Sequence, residues 1–417
     1  MRYLAREFVA RSLAFFARTV IRKYRPKVVM VTGSVGKTST KDALAAALAS
    51  RFYLRASEKS YNSEFGVPFT IFGVKNPWWS FARWLIVFKE ALALIFLPNH
   101  YPKLLILEVG ADRPGDLSRI LKIVTPDALV VTRLPDIPVH VEAYASPEAV
   151  REEEFAPAYW LLPGSPLIVN AGDQHALQMA KRLSAMLITY GEGEADVAVG
   201  DIGFYLEGGA VAGMEAKVTT AKGEGRLVVK GSVGPQQVLP AAAALTTALA
   251  LGIDVKEALE SLLKYVPPPG RGRLFAGINE SVLIDDSYNS SPAAVEEVLK
   301  TLRDFPGAGR RVAILGDMLE LGRYSVVEHT RIGELARASA DLVISVGIRA
   351  RAVHGACAYN DSHAAVLELP SLIESGDVIL IKGSQSVRME RIVEALLADP
   401  ADRARLVRQE REWKFTK

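Results

Sequence analysis

The clearest chemical signal in the sequence is a glycine loop between a β-prone run and a helical pattern. The loop, Thr32-Gly-Ser-Val-Gly-Lys-Thr-Ser39, follows the run Lys27-Val-Val-Met-Val31 and precedes an Ala/Leu-rich segment that reaches Ser50. Backbone N–H groups in such a loop turn inward around a phosphate, and the following helix N-terminus adds its dipole. A lysine there neutralises phosphate oxygens, and the next threonine offers a hydroxyl to Mg²⁺. The sequence therefore predicts an ATP and Mg²⁺ site formed by Gly33, Ser34, Gly36, Lys37, Thr38 and Ser39.

Two other polar residues follow apolar runs that are predicted strands. Glu108 ends the run Lys103-Leu-Leu-Ile-Leu-Glu108, and His140 comes shortly after Asp127-Ala-Leu-Val-Val-Thr132. Ligands of parallel α/β sheets bind beyond the carboxyl ends of the strands, and a carboxylate in that place is a suitable Mg²⁺ ligand. From the residues alone, a solvated strand-end acid and a structural histidine remain open alternatives.

The elements that must position these residues alternate between continuous apolar runs and helical patterns. This alternation predicts an α/β fold with a P-loop ATPase domain and a parallel sheet. Between about 190 and 232, short β-prone pieces separated by glycine predict a small antiparallel β extension. Three prolines at 267–269 make a stiff connector, after which renewed α/β alternation predicts a Rossmann-like domain. The predicted divisions are an N-terminal helix over 1–26, a central ATP-binding domain over 27–270 and a C-terminal domain over 271–417.

Composition excludes several other classes of protein. Hydrophobic residues make up 49% and charged residues 23% of the 417 residues, as in globular proteins of two or three domains. The single cysteine, Cys357, excludes a disulfide framework and a thiolate zinc site and indicates a cytoplasmic location. Two apolar stretches, Trp84–Leu97 and Val238–Ile253, are shorter than the roughly 20 residues of a membrane-spanning helix.

The N-terminal segment is basic and has the pattern of an amphipathic helix. Residues 1–27 contain eight lysines and arginines and one acid, Glu7, and Pro26 is expected to end the helix. The segment 78–97, with three tryptophans and a long apolar stretch, is either a buried helix or a helix that faces lipid or a partner. Both alternatives stay open, and the second predicts a peripheral membrane contact through residues 1–25 and 78–97.

Nine segments are more informative together than the glycine loop alone. They are Thr32–Ser39, Tyr61–Pro68, Leu107–Asp116, His140–Glu148, Asn170–Asp173, Pro269–Arg271, Asp285–Pro292, Leu315–Gly322 and Lys382–Ser384. In this order, over about residues 27 to 395, they resemble the Mur ligase family. The Asp-Asp-Ser-Tyr-Asn and Gly-Asp-Met-Leu-Glu-Leu-Gly stretches resemble its MurF branch in particular.

The resemblance implies an ATP-dependent amide ligase that acts through an acyl-phosphate. The reaction it implies adds D-alanyl-D-alanine, or a similar amine, to the carboxylate of a peptidoglycan precursor. The residues it places at the ATP phosphates and the metal are Lys37, Thr38, Glu108 and His140. Those it places at the nucleotide are Arg271 and, on the ribose, Asp286. Those it places on the incoming-amine side are Asp317, Glu320, Lys382 and Ser384.

Three features depart from the family pattern. The family's UDP-sugar-binding domain has no counterpart ahead of the loop, where about 26 basic, amphipathic residues stand instead. The family's carbamylated lysine aligns with Glu154. Three interpretations stay open: Glu154 presents a carboxylate in place of the carbamate, the second metal is bound weakly or not at all, or Glu154 belongs to a surface acidic patch. We include Glu154 among the expected catalytic residues. Gln237 stands where the family has an asparagine near the adenine and is an expected nucleotide contact.

Two further functions remain open at this point. One is a related ligase for another acyl acceptor, of the folylpolyglutamate or archaeal cell-wall peptide type. The other is a non-catalytic ATP-binding relative, suggested by the absence of lysine at Glu154. For the ligase we expect small-molecule or peptide substrates and no nucleic-acid partner.

Overall fold

The chain forms two compact units in the computed structural model. The described residues are 2–57, 61–77, 80–138 and 140–409, with side chains from residue 6 onward in those ranges. The first unit comprises Met1–Gly200, Lys217–Leu227 and Leu239–Tyr265, and the second comprises Asp201–Ala216, Val228–Val238 and Val266–Lys417. Trp78 and Trp79, which belong to the expected membrane contact, lie outside the described residues.

Helices and strands alternate along most of the chain. The helices are α1 Arg2–Tyr24, α2 Lys37–Leu48, α3 Gly66–Phe72, α4 Phe81–Phe96, α5 Asp116–Leu121, α6 Pro147–Phe155, α7 Gln174–Ala180, α8 Pro235–Ala250, α9 Val255–Leu262, α10 Pro292–Asp304, α11 Ser325–Ser339, α12 Ser362–Leu372 and α13 Glu390–Leu396. The strands are β1 Lys27–Thr32, β2 Leu54–Ala56, β3 Leu104–Glu108, β4 Ala128–Val131, β5 Pro166–Asn170, β6 Met186–Glu192, β7 Val197–Glu207, β8 Ala210–Thr220, β9 Gly223–Lys230, β10 Arg273–Ala276, β11 Val282–Asp286, β12 Arg311–Gly316, β13 Leu342–Val346, β14 Cys357–Tyr359 and β15 Val378–Lys382.

The sheet of the first unit is parallel at its centre. Its strands run in the order β2-β3-β1-β4-β5-β6, and every neighbouring pair is parallel. All residues of β3 and β4 are buried, and so are those of β1 after Lys27, which explains the uninterrupted apolar runs. The segments after β1, β3 and β4 therefore meet at one edge of the sheet.

Three long strands continue this sheet in the order β7-β8-β9. β7 joins β6 in parallel, whereas β7 and β8 are separated by Gly208 and Gly209 alone. Both glycines have positive φ, 62° and 85°, as a two-residue hairpin turn demands. The glycine-separated β-prone pieces of the sequence correspond to these strands.

The N-terminal helix is part of the first unit's core. Leu13, Ala17 and Val20 are fully buried, and α1 packs against α3 and α4. None of the described helices combines the length and the apolar character needed to cross a membrane.

The second unit contains a six-stranded sheet in the order β10-β11-β15-β12-β13-β14. β10 pairs antiparallel with β11, and the other pairs are parallel. In this register Asp286 lies opposite Lys382, and Leu315 lies opposite Lys382 on the other side. The predicted α/β class with parallel sheets is confirmed in both units.

Candidate functional site

The phosphate loop, residues 33–38, leaves the central strand β1 and enters α2. Helix α2 begins at Lys37, inside the loop motif itself. Gly33 and Gly36 have φ values of 117° and 88°, a region that favours glycine. A Cβ at Gly33 would also collide with the Thr132 hydroxyl. Both glycines are therefore dictated by the shape of the turn.

The neighbouring strand holds the loop in place through main-chain contacts. Ser34 N donates to Arg133 O at 2.8 Å, and Thr132 Oγ1 donates to Thr32 O at 2.9 Å. Ser39 is buried in the first turn of α2. The loop thus leads directly into the N-terminal turn of α2, and the N–H groups of such a turn are the ones that bind phosphate.

Lys37 and Glu154 meet inside this loop. The Lys37 ammonium lies 3.9 Å from the Glu154 carboxylate and donates to Gly33 O. Ser34 Oγ donates to the other carboxylate oxygen of Glu154. Only 1% of Glu154 is exposed, and it lies in the last turn of α6. The surface-patch interpretation of Glu154 is therefore wrong.

The main chain of Glu154 is also bound to the loop region. Thr32 Oγ1 donates to Glu154 O at 2.6 Å, so residue 154 has both a backbone and a side-chain anchor. Burial raises the pKa of Glu154, and Lys37 and Ser34 act in the opposite direction. Sequence spacing gave no sign of this contact, because α6 returns to the loop only through tertiary packing.

Thr38 and Glu108 form the expected magnesium-type pair. Thr38 Oγ1 donates to Glu108 Oε1 at 3.1 Å, and Glu108 is 2% exposed at the end of β3. A hydroxyl and a carboxylate are hard oxygen ligands of the kind Mg²⁺ takes together with phosphate oxygens. Among the described residues no group of three or more His, Cys, Asp or Glu side chains forms a closed metal cage. The pair fits a cation that is shared with a nucleotide.

His140 lies farther out on the same side of the sheet. Its Nε2 is 3.5 Å from Asp112 Oδ1, and its backbone has a positive φ of 66°. A positive charge on His140 would lower the pKa of Glu154, against the effect of burial. The structure therefore groups Lys37, Thr38, Glu108 and Glu154 closely, with His140 beside them.

In the second unit, Asp286 is the centre of a buried polar cluster. Asp286 Oδ2 accepts from Lys382 Nζ at 2.7 Å, and Oδ1 accepts from Gly272 N at 3.1 Å. Lys382 Nζ also donates to Asn289 O at 2.9 Å. Burial lowers the pKa of Lys382, and Asp286 opposes that change. The resemblance placed Asp286 and Lys382 on different substrates, whereas the structure pairs them directly.

Arg271 and Gln237 border this cluster. The Arg271 guanidinium lies 4.3 Å from the centre of the Tyr288 ring, a stacking arrangement that holds it in one direction. Gln237 is 3% exposed, and its Oε1 has no hydrogen-bond partner among the described side chains and backbone. A Cβ at Gly272 would lie 3.2 Å from Gln237 Nε2. Gln237, Arg271 and Asp286 are thus brought together around Gly272.

The expected amine-side residues fall into two groups. Ser384 N donates to Asp317 O at 2.9 Å, and Ser384 Oγ accepts from Leu319 N at 2.9 Å. Asp317 Oδ1 accepts from Ala350 N at 2.7 Å. Glu320 is exposed and has a positive φ of 62°. Asp317, Glu320 and Ser384 therefore share one loop cluster, whereas the ammonium of Lys382 points to Asp286.

His329 supports this cluster and was missed in the sequence. It is fully buried in α11, where Nε2 accepts from Met318 N at 2.9 Å and Nδ1 donates to Ser325 O at 2.7 Å. This pattern needs a neutral ring, and burial lowers the pKa of His329 accordingly. A lone histidine in a helical pattern gives no signal that separates it from an ordinary core residue.

Two protein-family models match the chain in tandem. The Mur ligase middle domain matches residues 88–248, and the glutamate ligase domain of Mur ligases matches residues 270–385. These matches include Glu108, His140 and Glu154 in the first range and Arg271 and Asp286 in the second.

Curated and solved relatives agree with these matches. The chain is 29% identical over 404 residues to the UDP-N-acetylmuramoyl-tripeptide–D-alanyl-D-alanine ligase of Mycobacterium tuberculosis, covering 89% of this chain and 73% of the relative. It is 28% identical over 398 residues to the enzyme of the same name from Escherichia coli, covering 92% and 80%. The structure of the MurF ligase from Thermotoga maritima in complex with ADP superposes with a TM-score of 0.76 at 25% identity, covering 93% and 83%.

Proposed function

Because the chain belongs to the Mur ligase family and to its MurF branch, we propose that it is an ATP-dependent peptide ligase that adds D-alanyl-D-alanine, or a similar amine, to a peptidoglycan-precursor carboxylate. The observation that supports this most is the phosphate loop, in which Lys37 donates to Gly33 O and Thr38 Oγ1 donates to Glu108 Oε1 at the start of α2. The T. maritima relative was solved with ADP, in agreement with an ATP-derived ligand.

The reaction proceeds in two balanced steps. A substrate carboxylate oxygen attacks the γ-phosphorus of ATP, and the bond to the bridging oxygen breaks to leave ADP and an acyl-phosphate. The amine nitrogen then attacks the acyl carbon, loses a proton, and inorganic phosphate leaves as the amide forms. Both steps build negative charge on phosphate oxygens, which positioned cations stabilise.

In our proposal Lys37 stabilises this negative charge. Its ammonium donates to the neutral Gly33 carbonyl and lies 3.9 Å from Glu154, so an incoming phosphate replaces a modest contact. Thr38, Glu108 and His140 are proposed to hold Mg²⁺, which neutralises phosphate oxygens of ATP when it is bound. Ser34, Gly36 and Ser39 provide the turn and the helix start.

We propose that Glu154 supplies a permanent carboxylate where the family has a carbamylated lysine. Its side chain lies inside the phosphate loop, bound by Ser34 and close to Lys37, which is where a second cation beside the γ-phosphate would be needed. An enzyme of this kind has no requirement for bicarbonate. Replacement Glu154→Lys should lower kcat and make the remaining rate respond to bicarbonate, whereas Glu154→Gln should lower kcat without any bicarbonate response.

In the second unit we propose that Arg271, Asp286 and Gln237 contact the nucleotide. Support comes from their convergence around Gly272 and from the unpartnered carbonyl oxygen of Gln237 among the described residues. Asp317, Glu320 and Ser384 are proposed to face the amine. Lys382 is reassigned from the amine to a positioning role, because its ammonium is bound by Asp286 and Asn289 O.

The proposal is tested by coupling ATP turnover to both other substrates. Phosphate release should require UDP-N-acetylmuramoyl-tripeptide and D-alanyl-D-alanine together, and mass spectrometry should show the joined product. Release with another acyl acceptor but not with this one would support the related-ligase alternative. Tight ATP binding without phosphate release for any acceptor and amine would contradict ligase activity and favour the non-catalytic alternative.

We also propose a cytoplasmic location, in agreement with the single cysteine.

A further inference from the structure

Helices α1 and α4 leave a continuous apolar and basic surface uncovered. The large apolar side chains on it are Phe8, Phe15, Phe81, Leu85, Ile86, Leu92, Phe96 and Leu97, with exposed fractions from 41% to 77%. The basic side chains on it are Arg11, Arg18, Arg22, Arg83 and Lys89. We call this set the docking face.

The part of the docking face on α4 follows from a helix whose apolar residues are not confined to one side. Val87, Ala91 and Leu94 are buried against the core, whereas Phe81 and Phe96, at the two ends, are 77% and 76% exposed. The sequence did not decide between a buried helix and a lipid-facing or partner-facing one. The structure shows that α4 has one buried side and one exposed apolar side.

The part on α1 combines aromatic and basic residues at helical spacing. Phe8, Arg11, Phe15, Arg18 and Arg22 follow one another at intervals of three or four residues, which places them on one side of the helix. Its opposite side carries the fully buried leucine, alanine and valine described above. Because α1 and α4 pack against each other and rest their buried sides on the same core, their exposed sides lie next to each other.

The two helices are firmly attached to each other. Lys23 Nζ donates to Leu94 O, Ile95 O and Leu97 O at 2.8 to 3.0 Å, which satisfies carbonyls at the C-terminal end of α4. Tyr24 donates to Leu94 O at 2.9 Å and stacks on Tyr101 at 4.4 Å. The docking face is therefore a fixed part of the first unit.

The geometry points to the surface of an anionic lipid bilayer as the occupant of the docking face. Aromatic and aliphatic side chains enter the interfacial region of a bilayer, and arginines beside them attract anionic headgroups. Among the described side chains of α1 and α4 the acids are Glu7 and Glu90, and each has a basic neighbour: Arg11 at 3.0 Å and Lys89 at 3.9 Å. Its net charge is therefore positive, which complements a negative membrane.

Charge also favours a bilayer over a second copy of the chain. In a two-fold dimer the same patch meets itself, so the arginines of α1 would approach those of the other copy. Such like-charge contact disfavours self-association, whereas an anionic bilayer turns the same residues into attractive contacts.

Co-sedimentation with vesicles tests this inference on the full chain. Vesicles of phosphatidylglycerol and phosphatidylcholine should pellet the protein at least about tenfold more effectively than vesicles of phosphatidylcholine alone. The double variant Phe81→Ser/Phe96→Ser should lower the apparent affinity for the mixed vesicles by roughly tenfold or more. The triple variant Arg11→Gln/Arg18→Gln/Arg22→Gln should lower it by about fivefold per arginine and remove the lipid selectivity.

A matched variant controls for lost apolar surface. Ile348 and Leu367 are 76% and 84% exposed in the second unit, and Ile348→Ser/Leu367→Ser should leave vesicle binding unchanged. Failure to pellet with either kind of vesicle would overturn the inference, and this comparison needs no variant. Equal binding to both vesicles, binding unaffected by the Phe81 and Phe96 changes, or a dimer in light scattering that these changes dissociate would overturn it as well.

Discussion

In each unit a lysine–carboxylate pair lies near the carboxyl end of a parallel strand, and the two pairs differ in how completely their hydrogen-bonding groups are satisfied. In the first unit Lys37 lies 3.9 Å from Glu154 and donates to Gly33 O. In the second, Lys382 lies 2.7 Å from Asp286 and also donates to Asn289 O.

This difference separates a working lysine from a structural one. Lys37 has a distant counter-charge and a neutral acceptor, so it is available to a phosphate. Lys382 is fully engaged, and its partner Asp286 is engaged a second time by Gly272 N. In our proposal the lysine whose side chain is 14% exposed serves chemistry, whereas the one that is 2% exposed fixes the shape of the backbone.

The first prediction concerns the working lysine. Replacement Lys37→Met should reduce kcat by about a thousandfold, because the transferred phosphoryl group loses a positioned cation. The free energy of unfolding should fall by only about 1 to 2 kcal/mol, because Lys37 lies 3.9 Å from Glu154, whose carboxylate keeps the hydrogen bond from Ser34. Phosphate-release kinetics and urea denaturation measure the two quantities.

Lys27, the exposed first residue of the strand β1 that leads into the loop, provides the control. Lys27→Met should change neither the rate nor the stability. A Lys37→Met protein that retained its rate, or that unfolded several kcal/mol more easily, would remove the distinction between the two pairs.

The second prediction concerns the structural lysine. Lys382→Met should lower the free energy of unfolding by roughly 3 to 5 kcal/mol, because Asp286 is left charged and buried without its partner. Urea denaturation should show most of this loss reversed in Lys382→Met/Asp286→Asn. Lys300 is an exposed lysine on α10 that pairs with Glu296. Its replacement Lys300→Met should lower the free energy of unfolding by less than about 1 kcal/mol.

The third prediction compares Asp286 with its neighbour Asp285, which has no lysine. Burial raises the pKa of Asp285 to about 6 from 3.8, so the folded state retains a proton that the unfolded state has lost. The free energy of unfolding should therefore fall as the pH rises from about 4 to about 6. Asp285→Asn, which keeps an acceptor for Ser287 N, should stabilise the protein at pH 8 by roughly 2 to 3 kcal/mol.

The same variant should be close to neutral at about pH 3, where Asp285 carries its proton in the folded state and, for the most part, in the unfolded state as well. Denaturation curves at the two pH values decide the matter. A stabilisation of equal size at both would show that packing, and not the buried charge, sets the effect.

The fourth and smallest prediction concerns His329, which holds its surroundings through hydrogen bonds of a neutral ring and not through an ion pair. Burial lowers its pKa from 6.5, so the unfolded state binds a proton that the folded state refuses. The stability contributed by the neutral ring is present above pH 6.5 and is lost as the pH falls below it. Relative to His329→Gln, the natural protein should lose about 1 kcal/mol more between pH 7 and pH 5.5.

Parallel pH dependence in the natural protein and in His329→Gln would contradict that assignment. The opposite trend of Asp285 is common to both proteins and cancels in the difference. Thermal unfolding at each pH is a sufficient measurement.

The residues of the sequence motifs were predictable because residue types at short, fixed spacings determine the local structure that they form. The Gly33–Lys37 turn and the strand that ends at Glu108 could be predicted from residues adjacent in the sequence. Position 154 was predictable by alignment, but its contact with Ser34 depends on where α6 packs. The pairing of Asp286 with Lys382 depends on the register of β11 and β15, which no local pattern specifies.

The exposed side of α4 was undecidable for a different reason. Apolar residues occupy almost every position from Phe81 to Leu97, so periodicity cannot single out the buried stripe. Only the packing of α1 and α3 against Val87, Ala91 and Leu94 selects it.

The double anchoring of residue 154 has an evolutionary consequence. The bond from Thr32 Oγ1 to the main-chain carbonyl of Glu154 is indifferent to which side chain stands there. A lineage can therefore exchange the side chain at this position while the geometry of the surrounding turn persists. The chemical identity of the side chain inside the phosphate loop is in this way free to vary without rebuilding the loop around it.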